Sequence, residues 1–108
     1  MDYNTAENRT TYPNHYEILN EIIDPELGIG LVDLGLIYQI EVDKNGLAVV
    51  IMTFTSPACP VGPQLTESVQ TKMLMMPDIN DCQVEVVWDP PWNQEMIDQN
   101  IREMILGL

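Results

Sequence analysis

The first hydrophobic pattern in the chain follows a polar N-terminal stretch. Residues 1–12 are rich in Asn and Thr and show no hydrophobic period, which predicts a loose extension. Apolar residues then recur at helical spacing and predict an amphipathic helix over residues 14–24, with Asn14 as N-cap and Glu17 at the capping-box position. We expect the helix to stop at Asp24-Pro25, because a residue before proline avoids the α region.

Two further segments predict a β-hairpin. Apolar and polar residues alternate over residues 34–42, which is typical of a strand. The turn at residues 43–46 contains Asn-Gly, a pair that readily adopts the positive φ angles of tight hairpins. Residues 47–55 return as a strand that is apolar on both faces, so this strand is predicted to be central in the sheet.

The remaining pattern predicts a helix, a strand and a last helix. Residues 56–63 contain three prolines and therefore cannot be regular, although Pro63 suits the first turn of the helix that follows. Residues 82–88 alternate again and predict the third strand. Asn93 is predicted to cap the final helix, which carries an apolar stripe.

This element order, helix-strand-strand-helix-strand-helix, predicts the α+β class. A hairpin followed by a crossover helix gives a small mixed sheet of three to four strands, with the helices as the covering layer. We expect one domain over residues 14–108, preceded by a flexible extension over residues 1–13, and most of the seven methionines in the core.

The charge of the chain excludes several classes of function. The sequence has 17 Asp and Glu but only 4 Lys and Arg, for a formal net charge of −13. Nucleic acids and anionic membrane surfaces are poor partners for such a chain, whereas basic patches on other proteins are good ones. The sequence shows no signal peptide and no long apolar run, so we expect a soluble, cytoplasmic protein.

The two cysteines do not form a recognisable framework. Cys59 and Cys82 are too few for a disulfide scaffold and, together with His15, too few for a four-ligand zinc site. Cys59 lies just before a predicted helix, whose N-terminal amides favour a thiolate, although the surplus of carboxylates acts against it. The alternative is an inert buried Cys59. Cys82 is predicted to be structural and His15 to lie at the surface.

Polar residues that could surround a site lie in two neighbouring segments. Asp24, Glu26 and Asp33 stand among glycines and apolar residues, where they either face a site or cap turns through their own backbone. Strand alternation puts Thr53 and Thr55 on one face ahead of Cys59, where they either line the same pocket or simply fill the strand.

A third loop carries both tryptophans. Asp89 leaves the third strand between Trp88 and Trp92, beside two prolines. One interpretation is an aromatic platform for a partner protein. The interpretation that we favour on sequence grounds is a core Trp88, with Trp92 covering the junction to the last helix.

Four segments together resemble a known family. They are Asp24-Pro25-Glu26, residues 32–38 (VDLGLIY), residues 53–60 (TFTSPACP) and residues 87–92 (VWDPPW). In this order and spacing they resemble the MIP18 family (domain of unknown function 59), which includes SufT-like iron-sulfur maturation factors and PaaD-like subunits. The resemblance covers residues 14–108 and implies an α+β domain of the iron-sulfur cluster assembly type.

The resemblance also implies a function and its residues. It implies a maturation factor with Cys59 as the functional thiol, surrounded by Asp24, Glu26, Asp33, Thr53 and Thr55. One functional cysteine per chain cannot fill the four thiolate positions of an ordinary cluster, so a labile iron or cluster would be shared across a homodimer or with a client. The expected partners are the iron-sulfur assembly machinery and apo-protein clients.

Two alternatives stay open at this point. A thiol enzyme would use Cys59 as nucleophile, but the only candidate base, His15, is distant in sequence. A metal-free adaptor would bind partners through its acidic face and the Trp88-Asp89-Trp92 loop.

Overall fold

The computed structural model describes residues 3–56 and 60–106. Its elements are α1 (Thr5–Thr11), α2 (Pro13–Leu19), β1 (Ile37–Val42), β2 (Leu47–Met52), α3 (Gly62–Leu74), β3 (Asp81–Val86), a 3-10 turn (Gln94–Met96) and α4 (Gln99–Leu106). This arrangement of helices around a mixed three-stranded sheet confirms the predicted α+β class. No helix in the described part of the chain is long and apolar enough to span a membrane.

Strand β2 lies in the centre of the sheet, as its two apolar faces predict. The strand order is β1-β2-β3, with β1 antiparallel and β3 parallel to β2. The hairpin turn ends at Gly46, whose φ of +83° is a conformation that glycine adopts without strain. Helix α3 provides the crossover that a parallel pair requires.

One face of this sheet forms the hydrophobic core. The core-facing residues of β2, Ala48, Val50 and Met52, are fully buried. Helix α3 contributes its own buried row at helical spacing, and these side chains pack in the same cluster, namely Leu65, Val69 and Met73. The other face of β2 alternates with this one and is only partly buried.

Helix α1 is not predicted by the sequence, and it closes the outer edge of β1. The Asn8 side chain accepts a hydrogen bond from the Ile40 backbone N–H at 2.8 Å and donates one to the Ile40 carbonyl at 2.9 Å. The Thr5 hydroxyl donates to the Tyr38 carbonyl at 2.8 Å. The helix buries no residue of its own, so polar bonds rather than a hydrophobic stripe attach it. The domain division at residue 13 stays a prediction.

Several elements end earlier than their patterns predict. Helix α2 stops at Leu19 rather than residue 24, and turns lead from it to the short bridge between Ile23 and Gly30. Strand β2 ends at Met52, although Thr53 still donates its backbone N–H to the Leu36 carbonyl at 2.9 Å. Asn93 caps the 3-10 turn rather than the last helix.

The edge contact of α1 yields a stability prediction. Asn8→Ala removes both side-chain bonds to Ile40 and the bond that Asn8 accepts from the Tyr16 hydroxyl, so we expect the free energy of unfolding to fall by about 1–3 kcal/mol. Urea unfolding followed by circular dichroism measures this loss. Helix α2 begins at Pro13, so Asn14 lies inside the helix and is not its N-cap, contrary to the sequence prediction. The matched control is therefore Asn14→Ala on the exposed face of α2, which is expected to change stability by less than about 0.5 kcal/mol. Equal effects of the two substitutions would contradict the role of α1.

Candidate functional site

A pocket of about 230 Å³ lies where three of the sequence motifs meet. It brings together three residues singled out from the sequence: Glu26 from the loop after α2, Thr55 from the segment after β2, and Trp92 from the loop after β3. The rest of its lining is mostly apolar and consists of Leu27, Ile29, Gln94 and Ile97. Thr55 follows the end of β2 by three residues, so the pocket lies at the exit of β2.

Asp24 supports the first wall of this pocket rather than lining it. Only 2% of Asp24 is exposed, and its Oδ1 accepts hydrogen bonds from the backbone N–H groups of Glu26 at 2.8 Å and Leu27 at 3.2 Å. This is the turn-capping alternative that the sequence left open. The carboxylate thereby holds the loop that carries Glu26 to the pocket.

Asp33 is likewise engaged by its own scaffold. Its Oδ2 accepts from the Asn20 side-chain amide at 3.1 Å, and its backbone N–H donates to Asn20 Oδ1 at 2.9 Å. Its carbonyl accepts the Asp98 N–H at 2.7 Å, which ties the start of α4 to this loop. Glycine at position 30 allows Asn20 to lie this close to the loop, because a Cβ on Gly30 would be 2.3 Å from Asn20 Oδ1. Asp33 therefore joins three segments behind the pocket.

Thr53 lies beside Tyr38, at an irregularity in the β1–β2 pairing. The register shifts between Ile37 and Gln39, and this bulge redirects the chain at Tyr38. The Tyr38 hydroxyl donates to the Pro90 carbonyl at 2.7 Å. Among the described residues Thr53 Oγ1 makes no hydrogen bond of ordinary geometry, although it lies close enough to the Tyr38 hydroxyl to influence it.

The ionisation of Tyr38 reflects this setting. Burial raises the pKa of Tyr38 above its usual value, and the negative charge of Asp89 acts in the same direction. The Thr53 hydroxyl opposes both effects. Tyr38 is therefore a neutral hydrogen-bond donor that connects β1 to the loop after β3. Thr53 and Asp89 thus act on the Tyr38 hydroxyl, whereas Glu26 and Thr55 line the pocket.

The two tryptophans have different surroundings, and the favoured interpretation of Trp88 as a core residue is wrong. Trp88 is 46% exposed, and its ring centroid lies 5.9 Å from that of Phe54. Trp92 is half-buried and donates its Nε1–H to the Leu34 carbonyl at 2.7 Å. The short strand β3 explains the difference, because it ends at Val86 and releases Trp88 from the sheet.

The cysteines also differ. Cys59 lies outside the described residues. Cys82 is 5% exposed at the start of β3, and burial, followed by the charge of Asp81, raises the pKa of its thiol to about 11. A thiol with that pKa stays protonated at neutral pH, which supports the structural role predicted for Cys82.

His15 is buried, in contrast to the surface position that the sequence predicts. Its exposed fraction is 9%, its Nε2 lies 3.0 Å from Asp78 Oδ2, and its ring packs edge-on against Tyr12. The Asp78 backbone adjoins Gly46, just before β2 begins. His15 is therefore tied to the end of the sheet opposite the exit of β2.

The apolar lining of the pocket and the role of Tyr38 were not predicted from the sequence. Ile29 and Ile97 look like ordinary core residues, and no local pattern reveals that they meet. Tyr38 was visible within a motif, but the bulge that directs it depends on strand pairing. Within residues 3–56 and 60–106, no group of three His, Cys, Asp or Glu side chains could hold a metal ion.

The sequence is similar to a protein family and to proteins of described function. The family model for "Iron-sulfur cluster assembly protein" matches residues 16–86. The chain is 47% identical over 78 residues to the Fe-S protein maturation auxiliary factor SufT of Staphylococcus aureus, which covers 72% of this chain and 89% of that protein. It is 37% identical over 81 residues to the Fe-S protein maturation auxiliary factor YitW of Bacillus subtilis, covering 75% and 79% of the two chains.

A solved structure is similar over nearly the whole chain. The crystal structure of a domain of unknown function, DUF59, from Bacillus anthracis superposes with a TM-score of 0.84 at 36% identity. The superposition covers 97% of this chain and 99% of that one. Both the extent and the identity are consistent with the fold described above.

The turn at Asp24 gives a second stability prediction. Asp24→Ala leaves the Glu26 and Leu27 amides without their acceptor, so we expect a loss of about 1–2 kcal/mol in the free energy of unfolding. Asp24→Asn keeps an oxygen at Oδ1 and should lose less than half as much. Urea unfolding of both variants measures the difference. If the asparagine variant lost as much as the alanine variant, the carboxylate charge rather than the turn would be what matters.

Proposed function

Because this chain belongs to the iron-sulfur cluster assembly protein family and has a role in iron-sulfur cluster assembly or maturation, we propose that it presents iron or a cluster to apo-protein clients through Cys59. In this proposal the chain is an accessory factor, not a catalyst, and the iron or cluster is its cargo. Its partners are the iron-sulfur assembly machinery and the apo-protein that receives the cargo. The relatives' description as auxiliary factors supports this assignment.

The pocket at the exit of β2 is the observation that carries the proposal. Segments that are far apart in sequence bring Glu26, Thr55 and Trp92 around one cavity, and the chain runs from Thr55 directly into the segment that holds Cys59. The cavity is lined mostly by apolar side chains, with one carboxylate, one hydroxyl and the amide of Gln94, a composition suited to holding a client side chain next to a transferred group.

The count of thiols determines how the cargo would be held. Cys82 is buried and stays protonated at neutral pH, so Cys59 is the one thiol left to act as a ligand. The described residues offer no group of three metal-ligating side chains. A cluster needs about four ligands, and each copy of the chain adds one, so the remaining positions are filled by further protein chains, the client included. Such shared coordination makes the cargo easy to release.

The start of α3 supports a reactive Cys59. The helix begins at Gly62, and Val61 at its N-cap position provides no side-chain hydrogen bond to the first amides. A helix N-terminus whose amides lack a side-chain cap favours a negative charge nearby. Cys59 precedes this terminus by three residues in the chain, so its thiolate form would be favoured over the thiol.

The placement of His15 argues against a thiol enzyme. A cysteine nucleophile needs a base within hydrogen-bond reach, and His15 is the only histidine in the sequence. It is engaged with Asp78 near the start of β2, whereas Thr55 and Ser56 leave the end of that strand. Strand β2 alone separates these ends by about 15–20 Å.

A second candidate, a metal-free adaptor, is favoured by one observation. Trp88 is exposed, and its ring lies beside that of Phe54 at an interplanar angle of 58°, which gives an aromatic surface next to the start of α3. Exposed aromatic residues of this kind are enriched at protein interfaces. The adaptor differs from the leading proposal in one respect: it binds partners without carrying iron.

Anaerobic reconstitution with ferrous iron and sulfide separates these functions. After desalting, the wild type should retain iron with visible charge-transfer absorption. Cys59→Ser should lose at least about nine-tenths of both signals, because no other described thiol is accessible as a ligand. Iron analysis and absorption spectra of the same samples provide the measurement.

Cys82→Ala is the matched control in this experiment. It removes the other thiol, and circular dichroism verifies its fold; it should retain iron as the wild type does. If Cys59→Ser bound as much iron as the wild type, the proposed role of Cys59 would be refuted. If the folded wild type retained none, the metal-free adaptor would be favoured.

A further inference from the structure

The second face of the sheet is an unfilled surface in the described part of the chain. Leu47, Val49 and Ile51 alternate with the buried residues of β2, are only partly buried, and lie outside the hydrophobic core cluster. Three apolar side chains in a row on a sheet face are normally covered by a second layer. We call this row the β2 stripe.

Acidic and amide side chains border the β2 stripe on both sides. Val49 pairs with Glu41 of β1 and with Gln83 of β3, and Ile51 pairs with Gln39 and Glu85. Residues directly opposite each other in a sheet point to the same face. The stripe is therefore an apolar row between two polar rows, about 5 Å away on either side.

The charge of this face has one sign within the sheet. The three strands contain no Lys or Arg, and Glu41, Asp81 and Glu85 are all exposed. Lys44 lies beyond the strand ends in the hairpin turn. A second copy of the chain would bring like charges together on this face, which disfavours self-association here.

We propose that the β2 stripe and its acidic borders bind an amphipathic helix of a partner protein that carries Lys or Arg on both sides of an apolar row. Helices commonly cover an open sheet face. An added strand cannot pair with the outer edge of β1, because α1 already occupies that edge. The stripe is about 13 Å long, which corresponds to about nine residues of helix. Basic side chains flanking the apolar row then reach Glu41 and Glu85.

None of the β2 stripe residues lines the pocket at the exit of β2. The proposal that the stripe binds a basic helix does not depend on the proposed function. The proposal that this helix belongs to a client or assembly protein does rest on it. Docking on the stripe would hold a partner on the sheet while leaving the pocket open. Peptide binding is measured on metal-free protein, so that the outcome is independent of iron binding.

A synthetic helical peptide of about 18 residues, with leucine along one face and lysine along both flanks, is the probe. Calorimetric titration compares the wild type, Glu41→Lys/Glu85→Lys on the stripe borders, and Glu17→Lys/Glu67→Lys on exposed sites of α2 and α3. Both pairs raise the net charge equally. We expect the border pair to weaken binding at least about tenfold and the control pair less than about threefold.

A third variant, Val49→Ser/Ile51→Ser, tests the apolar row and should also weaken binding at least about tenfold. Its fold is verified by circular dichroism, and the border pair keeps the test decisive if this variant does not fold.

Equal weakening by the border and control pairs would overturn the proposal, because attraction would then follow net charge alone. Equal binding of a sequence-scrambled peptide would overturn it as well. A concentration-dependent increase in molecular mass in sedimentation analysis without peptide, abolished by Val49→Ser/Ile51→Ser, would also overturn the proposal, because a second copy would then cover the stripe.

Discussion

The central strand β2 is the constraint on which the rest of this molecule depends. It is paired on both edges, so its backbone hydrogen bonds set the position of β1 and β3. One of its faces supplies the middle of the core through Ala48, Val50 and Met52. Its end delivers Thr53 and Thr55 to the region where the loops meet. The strand thus links the packing of the fold to the location of the candidate site.

Carboxylates around that region carry out two different tasks. Asp24 and Asp33 accept hydrogen bonds from nearby backbone or side-chain amides and hold loops in place, and Asp24 is almost completely buried. Glu26 is exposed at the pocket, where its carboxylate faces solvent and any bound partner. The division shows how an acidic chain can use some of its charge for local structure and leave the remainder for recognition.

The sequence allowed the main architecture to be predicted because its signals are local. Two apolar faces indicated that β2 is central, and Pro63 indicated the start of α3. Helix α1 could not be predicted, because Asn8 and Thr5 attach it through polar bonds to a strand more than thirty residues away. The buried position of His15 likewise depends on Asp78, which lies in a distant loop. Such contacts leave no period in the sequence.

The candidate site was predictable only in part, for the same reason. The motifs identified Glu26, Thr55 and Trp92 separately, but the cavity between them depends on Ile29 and Ile97, which resemble any core residue. Trp88 was misjudged because its alternation with Val86 suggests a longer strand than the one that forms. Strand ends depend on the loops that compete for the same backbone groups, and no local pattern records that competition.

In the proposed function one chain supplies a single accessible thiol, that of Cys59, and therefore cannot hold a complete cluster alone. Native mass spectrometry of the anaerobically reconstituted protein, prepared without small thiols, tests this claim most directly. We expect every cluster-bearing ion to contain at least two protein chains, either several copies of this chain or one copy with an added apo-protein client. A complete cluster on a single chain would contradict the account.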